Sequence, residues 1–151
     1  MAELKERLRA DLNAAMRARD QVRMRTLRMA LTSITNEEVA GTSARDLTDD
    51  EVLKVLTREA RKRREAAEAF SAAGRSDQAA AERAEGDVLA GYLPAQLSDD
   101  ELAALVDAAI AETGASGMAA MGQVMKTVTP KVAGRADGAR VAAEVRRRLS
   151  A

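Results

Sequence analysis

The clearest structural signal in the chain is the stretch TDDEVLKVLTREARKRREAAEAF, which occupies residues 48–70. It opens with a pattern in which the Thr48 hydroxyl and the Glu51 carboxylate can each bond the other's exposed backbone N–H. Apolar residues then recur every three or four positions, which places them on one face of a helix. The stretch therefore predicts a long amphipathic helix that begins after Thr48 and ends near Gly74.

Two further helices are predicted before this stretch. Apolar residues stand at helical spacing over roughly residues 2–18, at Leu4, Leu8, Leu12 and Met16. A second helix begins after Asp20, whose carboxylate can cap it, and ends near Gly41; its apolar stripe contains Leu27, Leu31 and Ile34. We expect these two helices to form a hairpin.

A boundary between two domains is predicted after the long helix. Ser76 can cap a fourth helix that runs to about Leu89, and the stretch GYLPAQL at residues 91–97 then breaks the periodicity with a Gly and a Pro. Such interruptions are typical of linkers. The sequence therefore predicts an N-terminal helical domain at residues 1–92 and a C-terminal domain at residues 93–151.

Three short helices are predicted in the C-terminal domain. The first opens with a second capping box, Ser98 to Glu101, and ends at Gly114. The second carries Met118, Met121, Val124, Met125 and Val128 and ends at Pro130, and the third follows Asp137. We interpret the methionines as core residues. The predicted fold is all-α: a helical hairpin with long helices, followed by a small three-helix domain.

The composition excludes many kinds of catalytic chemistry. The chain contains no cysteine and no histidine, so thiolate nucleophiles, imidazole bases and the common zinc sites are absent. No nucleotide-binding loop or nucleophile motif is present either. We predict no catalytic residue, metal or cofactor. Charges interrupt every apolar stretch near the N-terminus, so neither a signal peptide nor a membrane span is expected, and we expect a cytoplasmic location.

Charge is strongly segregated in the C-terminal domain. Five carboxylates and no cation stand between Leu93 and Met121, whereas from Gly122 onward seven Lys and Arg face two acidic residues, or 7 − 2 = +5. Such a density of cations can neutralise phosphates. We predict RNA contacts at Lys126, Lys131, Arg135 and Arg140, around a Gly-Arg-Ala-Asp turn at a helix N-terminus. The alternative is an ordinary capped turn between two helices. Positive charge at a helix C-terminus offsets the helix dipole, which is the alternative explanation for Arg146, Arg147 and Arg148.

A second basic region lies in the N-terminal hairpin. Five arginines have only Asp20 among them and can extend a basic face toward RNA; they are Arg17, Arg19, Arg23, Arg25 and Arg28. Helix geometry spreads them around the cylinder, so a solvated surface is the alternative. Because the chain has one Tyr, one Phe and no Trp, any RNA contact should be to backbone and shape and not to stacked bases.

Several short motifs in order resemble the GatB/YqeY family over essentially the whole chain. They are Ala15-Met16, Thr26-Leu27-Arg28-Met29, Asn36-Glu37, Arg58-Glu59-Ala60, Arg63-Arg64-Glu65, Ala73-Gly74-Arg75, Tyr92-Leu93-Pro94, Met121-Gly122-Gln123-Val124-Met125 and Gly134-Arg135-Ala136-Asp137. The chain departs from the family pattern at Thr35, where Lys is frequent, and at Gly86 and Gly91, where helix formers are usual and a looser hinge is implied.

The resemblance implies a role connected with tRNA. The family shares its domain with the tail of the B subunit of the glutamine-dependent aminoacyl-tRNA amidotransferase, a carbon–nitrogen ligase whose catalytic centres lie elsewhere. The resemblance therefore implies an accessory module that binds structured RNA such as tRNA and has no active site of its own. An amidotransferase or an aminoacyl-tRNA synthetase is the further partner that it implies. A non-catalytic protein–protein adaptor that uses apolar surface around the linker is the alternative.

Overall fold

The computed structural model describes residues 2–151, and every regular element among them is helical. The chain divides into two compact units, Met1–Leu93 and Pro94–Ala151. The first contains α1 (Glu3–Ala18), α2 (Gln21–Glu38), α3 (Asp49–Ala72) and α4 (Ser76–Ala90). The second contains α5 (Asp99–Thr113), a short 3-10 helix (Met118–Ala120), α6 (Met121–Val132) and α7 (Gly138–Ser150). The predicted all-α fold is confirmed.

Helix capping sets most of the helix starts. The capping boxes of α3 and α5 are formed as predicted, with Thr48 and Ser98 as the caps. Asp20 and Asp137 accept N–H groups at the starts of α2 and α7, also as predicted. Ser76 is different: it is the first residue of α4, and no side chain caps that helix. These bonds satisfy backbone donors that a helix start leaves without partners.

Three predicted helix features are corrected. The second helix ends at Glu38, three residues before Gly41. The sixth helix, α6, does not end at Pro130 but continues to Val132. A proline in the last turn removes only one backbone N–H donor, so the helix can include it. Gly86 does not flank α4 but lies inside it, and Gly91 directly follows the helix with a helical φ of −63°.

The first unit buries one core among all four of its helices. Helix α3 packs along α4, α1 packs along α2, and both α1 and α2 also contact α3. The core consists of Leu8, Leu27, Ala30, Ile34, Leu47, Val52, Val55, Leu56, Leu89 and Tyr92. Leu4 and Leu12 pack at its edge, whereas Met16, which was predicted to lie on the same stripe, is 42% exposed. In the last turn of α1 the buried apolar residue is therefore Ala15 and not Met16.

A buried ion pair lies within this unit. Lys5 Nζ donates to Glu38 Oε1 at 2.7 Å and to Oε2 at 2.9 Å, and the Leu47 N–H donates to the same carboxylate at 3.3 Å. Both side chains are buried. The Lys5 bond is the main reason why the pKa of Glu38 lies below its usual range. This carboxylate joins α1, the end of α2 and the segment before α3.

Tyr92 anchors the end of the first unit. Its hydroxyl donates to Asp11 Oδ2 at 2.5 Å, and the Arg7 guanidinium carbon lies 4.7 Å from the ring centroid. Burial and the bond to Asp11 raise the pKa of Tyr92 to about 12. The residue was predicted to lie in a linker, but it belongs to the core of the first unit.

The second unit has its own core, which contains no aromatic residue. Helices α5, α6 and α7 each contact the other two. Their buried residues are Leu97, Leu102, Val106, Ala109, Val124, Val128, Val132, Ala136, Val141, Val145 and Leu149. Met121 and Met125 pack at the edge as predicted, but Met118 is 45% exposed in the 3-10 helix. A close three-helix packing of small side chains therefore buries this core.

Candidate nucleic-acid interface

The four predicted RNA-binding residues occupy α6, the turn after it and the first turn of α7. Lys126 and Lys131 lie on α6, Arg135 lies in the turn, and Arg140 lies in α7. The turn needs two residues in the left-handed region, Ala133 with φ 50° and Gly134 with φ 78°. These two residues reverse the chain between α6 and α7. The structure does not collect the four cations in one hydrogen-bonded cluster.

Arg140 has an internal structural contact. One of its terminal nitrogens donates to the Leu97 carbonyl oxygen at 2.7 Å, and the other donates to Asp99 Oδ1 at 2.8 Å. The neighbouring turn contributes a further bond, because the Arg135 carbonyl oxygen accepts the Leu97 N–H at 2.7 Å. These three bonds join the start of α7 and the turn before it to Leu97 and to Asp99, the first residue of α5.

Lys131 is also paired within the unit, whereas Lys126 is exposed. Lys131 Nζ lies 2.5 Å from Glu112 Oε2 near the end of α5. No carboxylate in the described part of the chain pairs with Lys126. Arg135 is half-buried, and its charge helps to lower the pKa of Glu101, after the larger effect of the bonds from Ser98. The four residues therefore differ in how readily a phosphate can reach them.

The start of α7 already has an anionic cap. Asp137 Oδ1 accepts the Arg140 N–H at 3.0 Å, which is one of the backbone donors that a phosphate would use. A phosphate bound here would have to displace this carboxylate or use the remaining N–H groups. At this helix start the side-chain cations are therefore more accessible to an anion than the capped backbone N–H of Arg140.

The three consecutive arginines of α7 have different surroundings. Arg147 donates to Glu144 through two nitrogens, at 3.1 and 2.7 Å, and these bonds are the main reason why the pKa of Glu144 is lowered. Arg148 bonds Glu144 and also lies 3.1 Å from Asp107 of α5. Arg146 is exposed, and among residues 2–151 no carboxylate pairs with it.

Helix α5 supplies the counter-charges of the basic tail. Three cross-helix ion pairs connect its acidic residues to the cations that follow: Asp99 with Arg140, Asp107 with Arg148, and Glu112 with Lys131. The separation of charge is visible in the sequence, but the individual ion pairs are not. The signal was present, since an acid-only segment precedes a basic one of similar charge in a domain too small to keep them apart. Much of the +5 tail is therefore neutralised within the unit.

The hairpin arginines also fall into two groups. Arg23 bonds the Tyr92 hydroxyl at 3.4 Å and lies 4.0 Å from Asp11, and Arg25 bonds Glu85 of α4 at 2.9 Å. Arg17, Arg19 and Arg28 are exposed, and no carboxylate in the described chain forms an ion pair with them. Only the second group presents positive charge that no ion-pair partner in the described chain offsets.

The described residues contain neither a candidate metal cluster nor a candidate membrane-spanning helix. No group of three or more acidic, His or Cys residues is placed to hold a metal ion within residues 2–151. None of the helices over the same residues has the length and apolar character that crossing a membrane requires.

Comparison with known proteins found one family. The model of a family described as Yqey-like protein matches residues 5–149, which is nearly the entire chain and includes both units. A search of curated proteins found no match.

Proposed function

The chain belongs to the Yqey-like protein family, and on that premise we propose that it is an accessory module that binds tRNA or assists a tRNA amidotransferase. In this proposal the second unit corresponds to the tail domain of the amidotransferase B subunit and contacts RNA phosphates. Any part in glutamine-dependent amide transfer is played beside an amidotransferase or an aminoacyl-tRNA synthetase. The site of action is the cytoplasm.

The observation that carries the proposal is the exposure of Lys126. It stands on α6 without a carboxylate partner in the described chain, in a unit that pairs most of its other cations internally. An exposed cation without such a partner gains most from a phosphate, because no existing ion pair has to be broken. Arg135 is the second contact, since its guanidinium interacts with Glu101 only through space.

Lys131 and Arg140 are conditional contacts in this scheme. For each, a phosphate competes with its present carboxylate, Glu112 or Asp99. Both pairs are partly exposed, and exposed ion pairs contribute about 1 kcal/mol or less to stability. Replacing the carboxylate with a phosphate therefore costs little free energy. Arg140 would keep its bond to the Leu97 carbonyl oxygen.

The experiment measures the affinity for total cellular tRNA over a salt series with the Lys126→Gln/Arg135→Gln variant. Each neutralised phosphate contributes roughly 0.7 to 0.9 to the slope of log affinity against log salt, so the double variant should lower the slope by about 1.5. Lys54→Gln/Arg83→Gln removes the same charge from exposed positions of α3 and α4 and should leave the slope unchanged. Absence of tRNA binding by the unaltered protein at low salt would refute the proposal.

The adaptor alternative has less support from the geometry. It needs apolar surface near residues 91–97, but Tyr92 and Leu97 are both buried there. The large apolar side chains that are exposed elsewhere stand singly: Met16, Val39 and Met118. Single exposed apolar residues are normal on a protein surface. We therefore place RNA binding first.

A further inference from the structure

The turn between α1 and α2 carries the densest group of cations in the first unit that lack an ion-pair partner in the described chain. Of the five arginines that the sequence places there, Arg23 and Arg25 are held by Asp11 and Glu85. Arg17, Arg19 and Arg28 remain exposed. We call these three arginines, together with the exposed Met16, the turn patch.

The backbone of the turn is fixed. Arg19 has a left-handed φ of 56°, and its N–H donates to the Met16 carbonyl oxygen at 3.2 Å. The Asp20 N–H donates to the Ala15 carbonyl oxygen at 3.0 Å. These two bonds close the end of α1 as helix C-terminal motifs do. Arg17 and Arg19 therefore project from a defined turn, and ordering them on a ligand costs only side-chain entropy.

Arg28 joins the patch from α2. One of its terminal nitrogens lies 3.7 Å from the Met16 sulfur, which is a weak acceptor. A guanidinium has five donors, so the remaining N–H groups are available to a stronger acceptor. The contact with Met16 places the Arg28 guanidinium beside the end of α1, because Met16 directly precedes Arg17 in the chain. Arg28 therefore lies near the same end of α1 from which Arg17 and Arg19 extend.

Asp20, the only acidic residue in this turn, carries one negative charge against the three arginines and forms no ion pair with them in the described chain. Asp20 is engaged as the cap of α2, since its Oδ1 accepts the Arg23 N–H at 3.1 Å. Several other cations of the unit do pair across helices, as Lys5 does with Glu38 and Arg58 with Glu37. The patch therefore has a net positive charge, and no ion pair in the described unit involves its arginines.

From these observations we propose that the turn patch is a second RNA-contacting surface, in which Arg17, Arg19 and Arg28 bind backbone phosphates. The inference rests on the proposed function for its ligand. Guanidinium groups match phosphate oxygens with two parallel bonds, and the patch has no aromatic side chain on which a base could stack. Its one exposed apolar residue, Met16, is too little for the buried anchor of a protein interface.

The test compares salt slopes for total cellular tRNA between the intact protein and the Arg17→Gln/Arg19→Gln/Arg28→Gln variant. The slope should fall by about 2.4, since three phosphate contacts of roughly 0.7 to 0.9 each are removed. The matched control is Lys54→Gln/Arg61→Gln/Arg83→Gln, which removes three exposed charges from α3 and α4 and should leave the slope unchanged. Thermal unfolding should be the same for both variants, because all six side chains are exposed.

The outcomes separate this inference from the proposed function. If the intact protein binds tRNA and the patch variant keeps its slope, the inference is wrong and the proposed function stands. An equal loss in patch and control variants would show a general charge effect and would also overturn the inference. If the patch variant loses slope while Lys126→Gln/Arg135→Gln does not, the inference holds and the assignment to the second unit fails. Without any tRNA binding by the intact protein, both are refuted.

A membrane surface is the competing ligand, and one further arm decides it. Vesicles of phosphatidylglycerol present phosphates on a headgroup and so share the chemistry of the RNA backbone. Loss of vesicle binding by the patch variant, with an unchanged tRNA slope, would assign the arginines to lipid and overturn the inference. A reduced tRNA slope without any vesicle binding by the intact protein supports it.

Discussion

At the scale of single residues, the pair of Lys5 and Glu38 shows what a sequence hides. Both look like surface charges, since each stands beside other charged residues, and they are 33 positions apart. Helical periodicity assigns faces within a helix, but it does not say which residue of another helix lies opposite. The burial of the pair follows from the packing of α1 against α2, which only the structure shows.

The pair leads to a prediction about stability. Glu38→Gln leaves the Lys5 ammonium buried without its counter-charge, and removing one partner of a buried pair typically costs about 3–5 kcal/mol of unfolding free energy. Urea denaturation measures the change. Its control is Glu37→Gln, which removes a neighbouring, exposed carboxylate 3.5 Å from Arg58 and should cost less than about 1 kcal/mol. Equal small losses in both variants would mean that the buried pair contributes little.

At the scale of helices, α5 supplies carboxylates that form ion pairs with the neighbouring cations, at positions where a phosphate could otherwise bind. Its carboxylates hold cations of α6 and α7 that the sequence assigned to RNA, at Lys131 and Arg140. Helix starts and capping boxes were predictable, because their chemistry is local and lies within four consecutive residues. Ion pairs between helices were not predictable in detail, because they depend on how the helices are rotated. The RNA-binding role of the four cations remains a prediction.

The pairing between α5 and α6 has a measurable consequence under the proposed function. Glu112→Gln removes the carboxylate that holds Lys131, so the lysine becomes available to phosphate and the affinity for tRNA should rise, with a salt slope steeper by about 0.9. Asp100→Asn is the matched control: it removes one exposed charge from α5 that pairs with no cation in the described chain. A similar rise in both variants would point to net charge and not to the release of Lys131.

At the scale of the whole molecule, the zero net charge is not an average of a basic and an acidic part. The unit Met1–Leu93 contains 17 cations and 17 carboxylates, and Pro94–Ala151 contains 7 of each, so each unit is neutral separately and the sums are those of the full chain, 24 and 24. The fold class was predictable, because composition and periodicity act along the entire chain. The site was predictable only as a set of residue types, because neutralisation within each unit decides which cations remain available.

The absence of histidine and cysteine predicts a flat stability profile around neutral pH. Apart from the terminal amine, no group in the chain titrates between about pH 6 and pH 9 at its ordinary pKa. The urea midpoint should therefore be nearly constant over this range and fall in acid.

Glu51, whose pKa is lowered from 4.5 to about 2 chiefly by its bond from Arg45, stabilises the fold above about pH 4.5 and loses that effect as the pH falls toward 2. Glu51→Gln should flatten this part of the curve, and an unchanged acid limb would contradict the assignment.

The anchoring of Tyr92 gives the protein an intrinsic optical reporter. The chain has one tyrosine and no tryptophan, so phenol emission and the ultraviolet spectrum of the phenolate both arise from a single ring at the end of the first unit. The carboxylate of Asp11 and the guanidinium of Arg7 surround that ring, and either one's departure would change its emission. Unlabelled protein thus carries a fluorescence signal that reports, without interference from any other chromophore of its kind, whether the last residues before Pro94 are seated on α1.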